Sequence, residues 1–203
     1  MIASVVAVYG IDAWRREFRG RRRLELAEEV LALFYEARDR IAAIRNLAGF
    51  AGEGRTREPG PDEDPEHKDR LDRAYVLIER YSAHQSVFAR IQALSYRFIA
   101  VFGSDAGQPF RDLNGVLNDL IGSAHRMATL STLSDRAFRT QEDLFKHHAQ
   151  MQEVDRIYYA GREDDRIRAR VDRLVADTET TCRAIIESRP ILSCCRRFSR
   201  KKS

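Results

Sequence analysis

The amino-acid sequence predicts an all-α fold, an up-and-down antiparallel bundle of about five helices with a long N-terminal helix. Three observations carry that expectation. Every apolar pattern of useful length recurs at steps of three and four residues, the spacing that stacks side chains on one helical face. The 5 Pro and 11 Gly of the 203 residues are too few for a turn-rich β-sandwich, and the breakers fall between the apolar patterns. A hydrophobic fraction of 43% supplies the apolar surface for a real core and excludes disorder.

The first helix is expected over about residues 2–48. It opens with an apolar run, Ile2, Val5, Val6, Val8, Tyr9 and Ile11, broken by Asp12 and closed by Trp14. Arg15, Arg16, Arg19, Arg21, Arg22 and Arg23 follow. A secretory signal places its positive charge before the apolar run, and here the order is reversed. The pattern matches the exit end of a membrane helix, with Trp14 at the interface and the arginines as a cytoplasmic flank. Residues 1–14 thus read as an apolar anchor segment and 15–23 as a basic juxtamembrane segment. Fourteen helical residues rise only about 21 Å against about 30 Å of hydrocarbon. The run is therefore too short to span as written, which leaves an upstream start, insertion into one leaflet, or a buried helix end.

From Leu24 the seam continues through Ala27, Val30, Phe34, Ala37, Ile41, Ile44 and Ala48, and residues 24–189 form the bundle domain. Asp64-Pro65 reads as an N-cap followed by Pro at the first helical position, starting a second helix over 65–102. That helix carries two adjacent stripes, one through Leu71, Ala74, Ile78 and Tyr81, the other through Leu77, His84, Phe88, Ile91, Phe98 and Phe102, so it faces more than one neighbour. Gly103 is placed to end it with positive φ and Pro109 to start a third helix over 109–130, with Phe110, Leu113, Leu117, Leu120, Ala124 and Met127 inward. A fourth is expected over 135–160, closed by Gly161, and a fifth over 164–188, with Ile167, Val171, Leu174 and Ile185 inward and Pro190 beyond it. Five alternating helices would leave the basic tail of 190–203 at the end away from the anchor.

The formal net charge of +4 hides a separation. Residues 1–23 carry +4 and residues 190–203 carry +5 from Arg196, Arg197, Arg200, Lys201 and Lys202, so the body between them is at −5. A nucleic-acid binder would place its cations on the folded body, so the charge distribution argues against that class. Basic ends suit an anionic membrane surface. Cys182, Cys194 and Cys195 form no paired spacing, which disfavours a disulfide framework or structural zinc and fits a reducing compartment. Cys182 reads as a core residue, and Cys194-Cys195 before basic residues has the pattern of an S-acylation site in a eukaryotic protein.

Candidate chemistry is sparse. His84 and His148 fall on helical seams, where a histidine is either satisfied by a core hydrogen bond or part of a buried polar site. His147 reads as exposed, with Asp143 one turn away to pair with it. No Glu-x-x-His spacing occurs, so no metal or other cofactor is expected. Glu29 and Glu36 lie one heptad apart, about 10.5 Å along the axis, too far for a close acid pair. Together with Arg38, Arg40 and Arg45 they read as a solvated face. The linker Gly49–Asp64, GFAGEGRTREPGPDED, meets neither nucleotide fingerprint. It reads as a flexible hairpin or, less favourably, as an anion nest with Arg55 and Arg57.

The stretches YGIDAWRREFRGRRRLELAEEVLALFYEARDRIAAIRN, LDRAYVLIERY and YRFIAVFG resemble a family of uncharacterised bacterial proteins, single-pass and membrane-anchored with a helical cytosolic body. The resemblance covers roughly residues 9–190 and implies an anchor, a helical body and no particular activity. The expectation is a non-enzymatic module at the cytoplasmic face of the inner membrane, docking a protein partner or itself. The alternative is a small-molecule or metal-using helical enzyme built around His84 and His148.

Overall fold

The computed structural model describes residues 2–61, 63–133 and 138–187, with first-helix side chains from Trp14 onward, Arg16 excepted. The tail of 190–203, with Pro190, Cys194 and Cys195, lies outside the described residues. Among the described residues there are five helices: α1 (Ile2–Ile44), α2 (Pro65–Phe102), α3 (Gln108–Ser131), α4 (Gln141–Tyr158) and α5 (Arg166–Glu187), with a 3-10 turn, Ser104–Gly107, between α2 and α3. The described residues contain no strand. The protein is an all-α helical bundle, as the sequence predicts.

Local chemistry sets the helix ends. The Asp64 carboxylate accepts the His67 backbone N–H at 2.8 Å, and Pro65 follows at the first position, where its missing N–H leaves nothing unpaired. Gly103 adopts φ 98° and ψ 169°, open in practice only to glycine, and its N–H closes on the Ile99 carbonyl. The start of α4 differs from expectation. Thr140 caps it by accepting the Asp143 N–H at 3.1 Å and donating its hydroxyl to the Asp143 carboxylate at 2.7 Å, so the helix begins at Gln141 rather than at 135. Residues 134–137 are not described. The first helix ends at Ile44, earlier than 48, and Ala48 is exposed.

The bundle has two tiers. In the lower tier α1 and α2 are antiparallel, Arg23 lying against Phe102 at one end and Arg80 against the carbonyls after Ile44 at the other. α3 ascends beside α2, and Arg70 reaches the Ser131 carbonyl. α5 descends along α1, as the contacts Arg45 to Asp165 and Tyr35 to Glu179 require. The core joins these four helices through Phe34, Leu77, Phe98, Phe110, Leu113, Leu120 and Cys182. The Phe34 and Phe110 rings meet edge to face at 5.2 Å and Phe98 packs on Phe110 at 5.6 Å, both favourable ring geometries. α2 and α3 extend beyond the end of α1, and α4 fills the upper tier. It descends along α3 with Leu133 beside His147 and Leu130 beside Val154, so that its C-terminus meets the C-terminus of α1.

One connection breaks the alternation. α4 and α5 both descend, and the chain between them, Tyr159–Asp165, is fastened at the end of α1 by the Ala160 N–H on the Arg45 carbonyl and by Asp165 on the Arg45 side chain. α5 therefore ends at Glu187 toward the end of the bundle from which α1 runs on, rather than at the far end that five alternating helices would have given.

Candidate functional site

The largest buried polar group is one the sequence placed on a solvated face. Arg45 is 2% exposed. Its Nε donates to the Ile157 carbonyl at 2.8 Å, Nη2 to the carbonyls of Tyr159 at 2.8 Å and Arg156 at 3.1 Å, and Nη1 to the Asp165 carboxylate at 2.9 Å. The Arg45 carbonyl in turn accepts the Ala160 N–H at 2.7 Å. These acceptors are the orphan carbonyls at the end of α4, where a cation also meets the negative end of the helix dipole. Asp165 completes the unit by accepting the Arg168 N–H at 2.9 Å as the cap of α5. Burial pulls the Arg45 guanidinium below its ordinary pKa, and Asp165 opposes that shift. Arg45 thus joins three helix ends, a structural role. No carboxylate pair is formed on α1, where Glu36 bonds Arg40 at 3.1 Å and Glu29 is exposed.

Beside it, the Tyr158 hydroxyl enters the backbone ladder of α2. It accepts the Leu77 N–H at 3.1 Å and donates toward the carbonyls of Arg73 at 2.9 Å and Ala74 at 3.2 Å. Burial pushes its pKa up to about 12. Leu77 and Arg73 are donor and acceptor of one helical step and can close on each other when the hydroxyl is gone. Tyr158→Phe is therefore expected to lose only about 1 kcal/mol, read as a lower urea midpoint at unchanged slope. A loss above about 3 kcal/mol would mean that the ring has repacked as well.

The linker is neither a flexible hairpin nor an anion nest. Arg57 donates to both Glu63 oxygens, at 2.7 and 2.5 Å, and to Asp72 at 3.0 Å, which neutralises it. Arg57 holds the Glu63 carboxyl down at about 2. Arg80 grips Glu53 through two bonds and the carbonyls of Asn46 and Ala48, and holds the Glu53 carboxyl below its usual range. The Gly54 N–H bonds Glu79. Arg55 is exposed and does not join this network.

The histidines are not brought together. His84 is half-buried on α2, and His148 is exposed on α4. The buried residue is His147, at 7% exposure with its ring 4.8 Å from Phe138. From Leu144 the seam steps by three to His147, then Met151, Val154 and Tyr158, whereas a step of four would place His148 inward, as expected above. Both steps keep a helical face, and the first places His147 against Phe138 and Leu133 of the connection after α3. No three His, Cys, Asp or Glu side chains among the described residues are grouped as metal ligands would be. Cys182 is fully buried, as expected, and burial pushes its thiol up to about 11, which leaves it the unreactive neutral form.

The remaining charged feature is the N-terminal part of α1. Seam positions that are apolar from Leu26 onward become Arg23 and Arg19 beyond it, so α1 outruns its core. Trp14 and Phe18, one turn apart, stack at 5.6 Å while 63% and 48% exposed. Arg22 lies over Phe18 at 5.6 Å, and the Arg19 Nε bonds the Arg15 carbonyl at 3.2 Å. Arg21 pairs with Glu25 at 3.7 Å. Arg19, Arg22 and Arg23 line one wall of a groove of about 470 Å³, and Arg97 of α2 joins them with Leu26, Ala100 and Val101. Arg97 carries no sequence signal for this role, because its partners are about 75 residues away on another helix. Arg15 is exposed outside the groove, and the side chain of Arg16 is not described. No helix among the described residues is long and apolar enough to cross a membrane.

Fold and surface together define the class: a helical bundle whose first helix outruns it and carries an exposed aromatic pair among cations. No protein-family model matches the chain, and neither a curated protein nor a solved structure matches it.

Proposed function

We propose that the protein is a non-enzymatic helical module that docks on the anionic cytoplasmic face of the inner membrane through the N-terminal part of α1. The observation that carries this reading is the exposed Trp14–Phe18 stack beside Arg15, Arg19 and Arg22. Aromatic rings enter the headgroup region and the guanidiniums meet its phosphates, each cation adding roughly 1 kcal/mol. Such a helix lies in the interface without crossing it, so it needs no 30 Å apolar span.

Cosedimentation with phosphatidylglycerol-containing vesicles tests it. The full chain is expected to bind, with affinity falling as salt rises. Replacing both Trp14 and Phe18 by Ala should weaken binding about a hundredfold, since each ring contributes roughly 1.5 kcal/mol of burial, while leaving the helical circular dichroism unchanged. Equal partitioning of the native chain and a variant beginning at Leu24 would overturn the proposal.

A further inference from the structure

We propose that the groove between α1 and α2 is a binding site for a phosphate monoester, supplied by the headgroup of an anionic lipid such as phosphatidate. The source of the phosphate rests on the membrane reading above, and the chemistry rests on the groove alone. Four guanidiniums converge there from two helices, Arg19, Arg22 and Arg23 from α1 and Arg97 from α2, and no carboxylate lines it among the described residues. Other arginines of α1 do sit against acids, as Arg21 does against Glu25 and Arg40 against Glu36. Four like charges gathered without an acid repel one another until an anion enters. Two of them are already oriented: Arg23 is held over the Phe102 ring at 5.0 Å, and Arg19 is fixed through its Nε.

A guanidinium takes phosphate through two parallel N–H bonds, and a dianionic monoester offers more charge and more acceptor oxygens to four forks than a monoanionic diester does. Leu26, Ala100 and Val101 complete the lining, with Val101 45% exposed. That apolar lining suits the glycerol and first acyl carbons of a lipid. The groove lies one turn from the Trp14–Phe18 stack, so ring insertion and phosphate capture would act on the same leaflet. The site is therefore a composite of two helices, whereas a linear basic stripe would involve α1 alone.

Arg97→Gln separates these, because Arg97 is exposed, lies on the folded body and is outside the N-terminal segment. The full chain is titrated with phosphatidylcholine vesicles carrying phosphatidate or, at matched surface charge, phosphatidylglycerol, and separately with soluble glycerol 3-phosphate. Arg90→Gln removes the same charge from an exposed position of α2 outside the groove. The native chain is expected to prefer phosphatidate, and Arg97→Gln to weaken that binding about tenfold with phosphatidylglycerol binding little changed and Arg90→Gln without effect. Absence of the preference, or equal effects of the two variants, overturns the groove proposal and leaves the membrane reading standing. Arg97-dependent binding of glycerol 3-phosphate without vesicle binding upholds the phosphate site and overturns the membrane reading. Binding of neither probe overturns both.

Discussion

Replacing Arg45 by methionine is expected to lower the unfolding free energy by about 3–5 kcal/mol, the largest loss of any single side chain discussed above. Methionine fills much of the same volume, so the loss comes from what is left behind. The Asp165 carboxylate stays buried without its cation, and the carbonyls of Arg156, Ile157 and Tyr159 lose a shared donor. Urea denaturation should show a lower midpoint at unchanged slope. Adding Asp165→Asn should recover part of the loss, because asparagine still caps α5 but carries no charge to strand. If the double variant is no more stable than Arg45→Met, the carboxylate is not the source of the loss and the stranded carbonyls are.

Gly54→Ala is expected to lose about 2–3 kcal/mol and to open the linker to protease. Gly54 has φ 83°, where a side chain is strained, and an added Cβ would lie 2.0 Å from the Asp72 carbonyl oxygen and 3.2 Å from Val76 Cγ2. The obstacle is the backbone of α2, which cannot rotate aside as a flexible side chain would. The loop must lift, and lifting it separates Gly54 from Glu79 and Arg57 from Asp72. New cleavage between residues 49 and 64, with the helical core still resistant, is the expected pattern. A variant as stable and as resistant as the native chain would show that the loop is not held by this close approach.

The candidate surface was partly legible and the bundle largely so. Ala27, Val30, Phe34, Ala37, Ile41 and Ile44 are all buried, as their spacing requires, and so are Phe110, Leu113, Leu117, Leu120, Ala124 and Met127. The Asp64 cap could be read because its donor lies three residues away. Trp14 and its neighbouring arginines could be singled out as one aromatic and cationic group because the pattern is contiguous. Arg97 could not, because nothing in a linear sequence aligns it with Arg19 and Arg23.

What the sequence by itself determined is the set of helices and, α4 apart, the face each one buries, because both depend largely on the spacing of residues within about four positions. Which of two adjacent histidines on α4 turns inward, whether Arg45 faces water or three helix ends, and whether a Gly- and Pro-rich linker is loose or clamped were decided only by tertiary structure. In each case local chemistry allows both states. The choice falls to a partner beyond the local helical turn: Phe138 and Leu133 for His147, Asp165 for Arg45, and Asp72, Glu79 and Arg80 for the linker. A buried charge or a positive-φ glycine is tolerable only once such partners have closed around it, so its placement follows from the assembled fold.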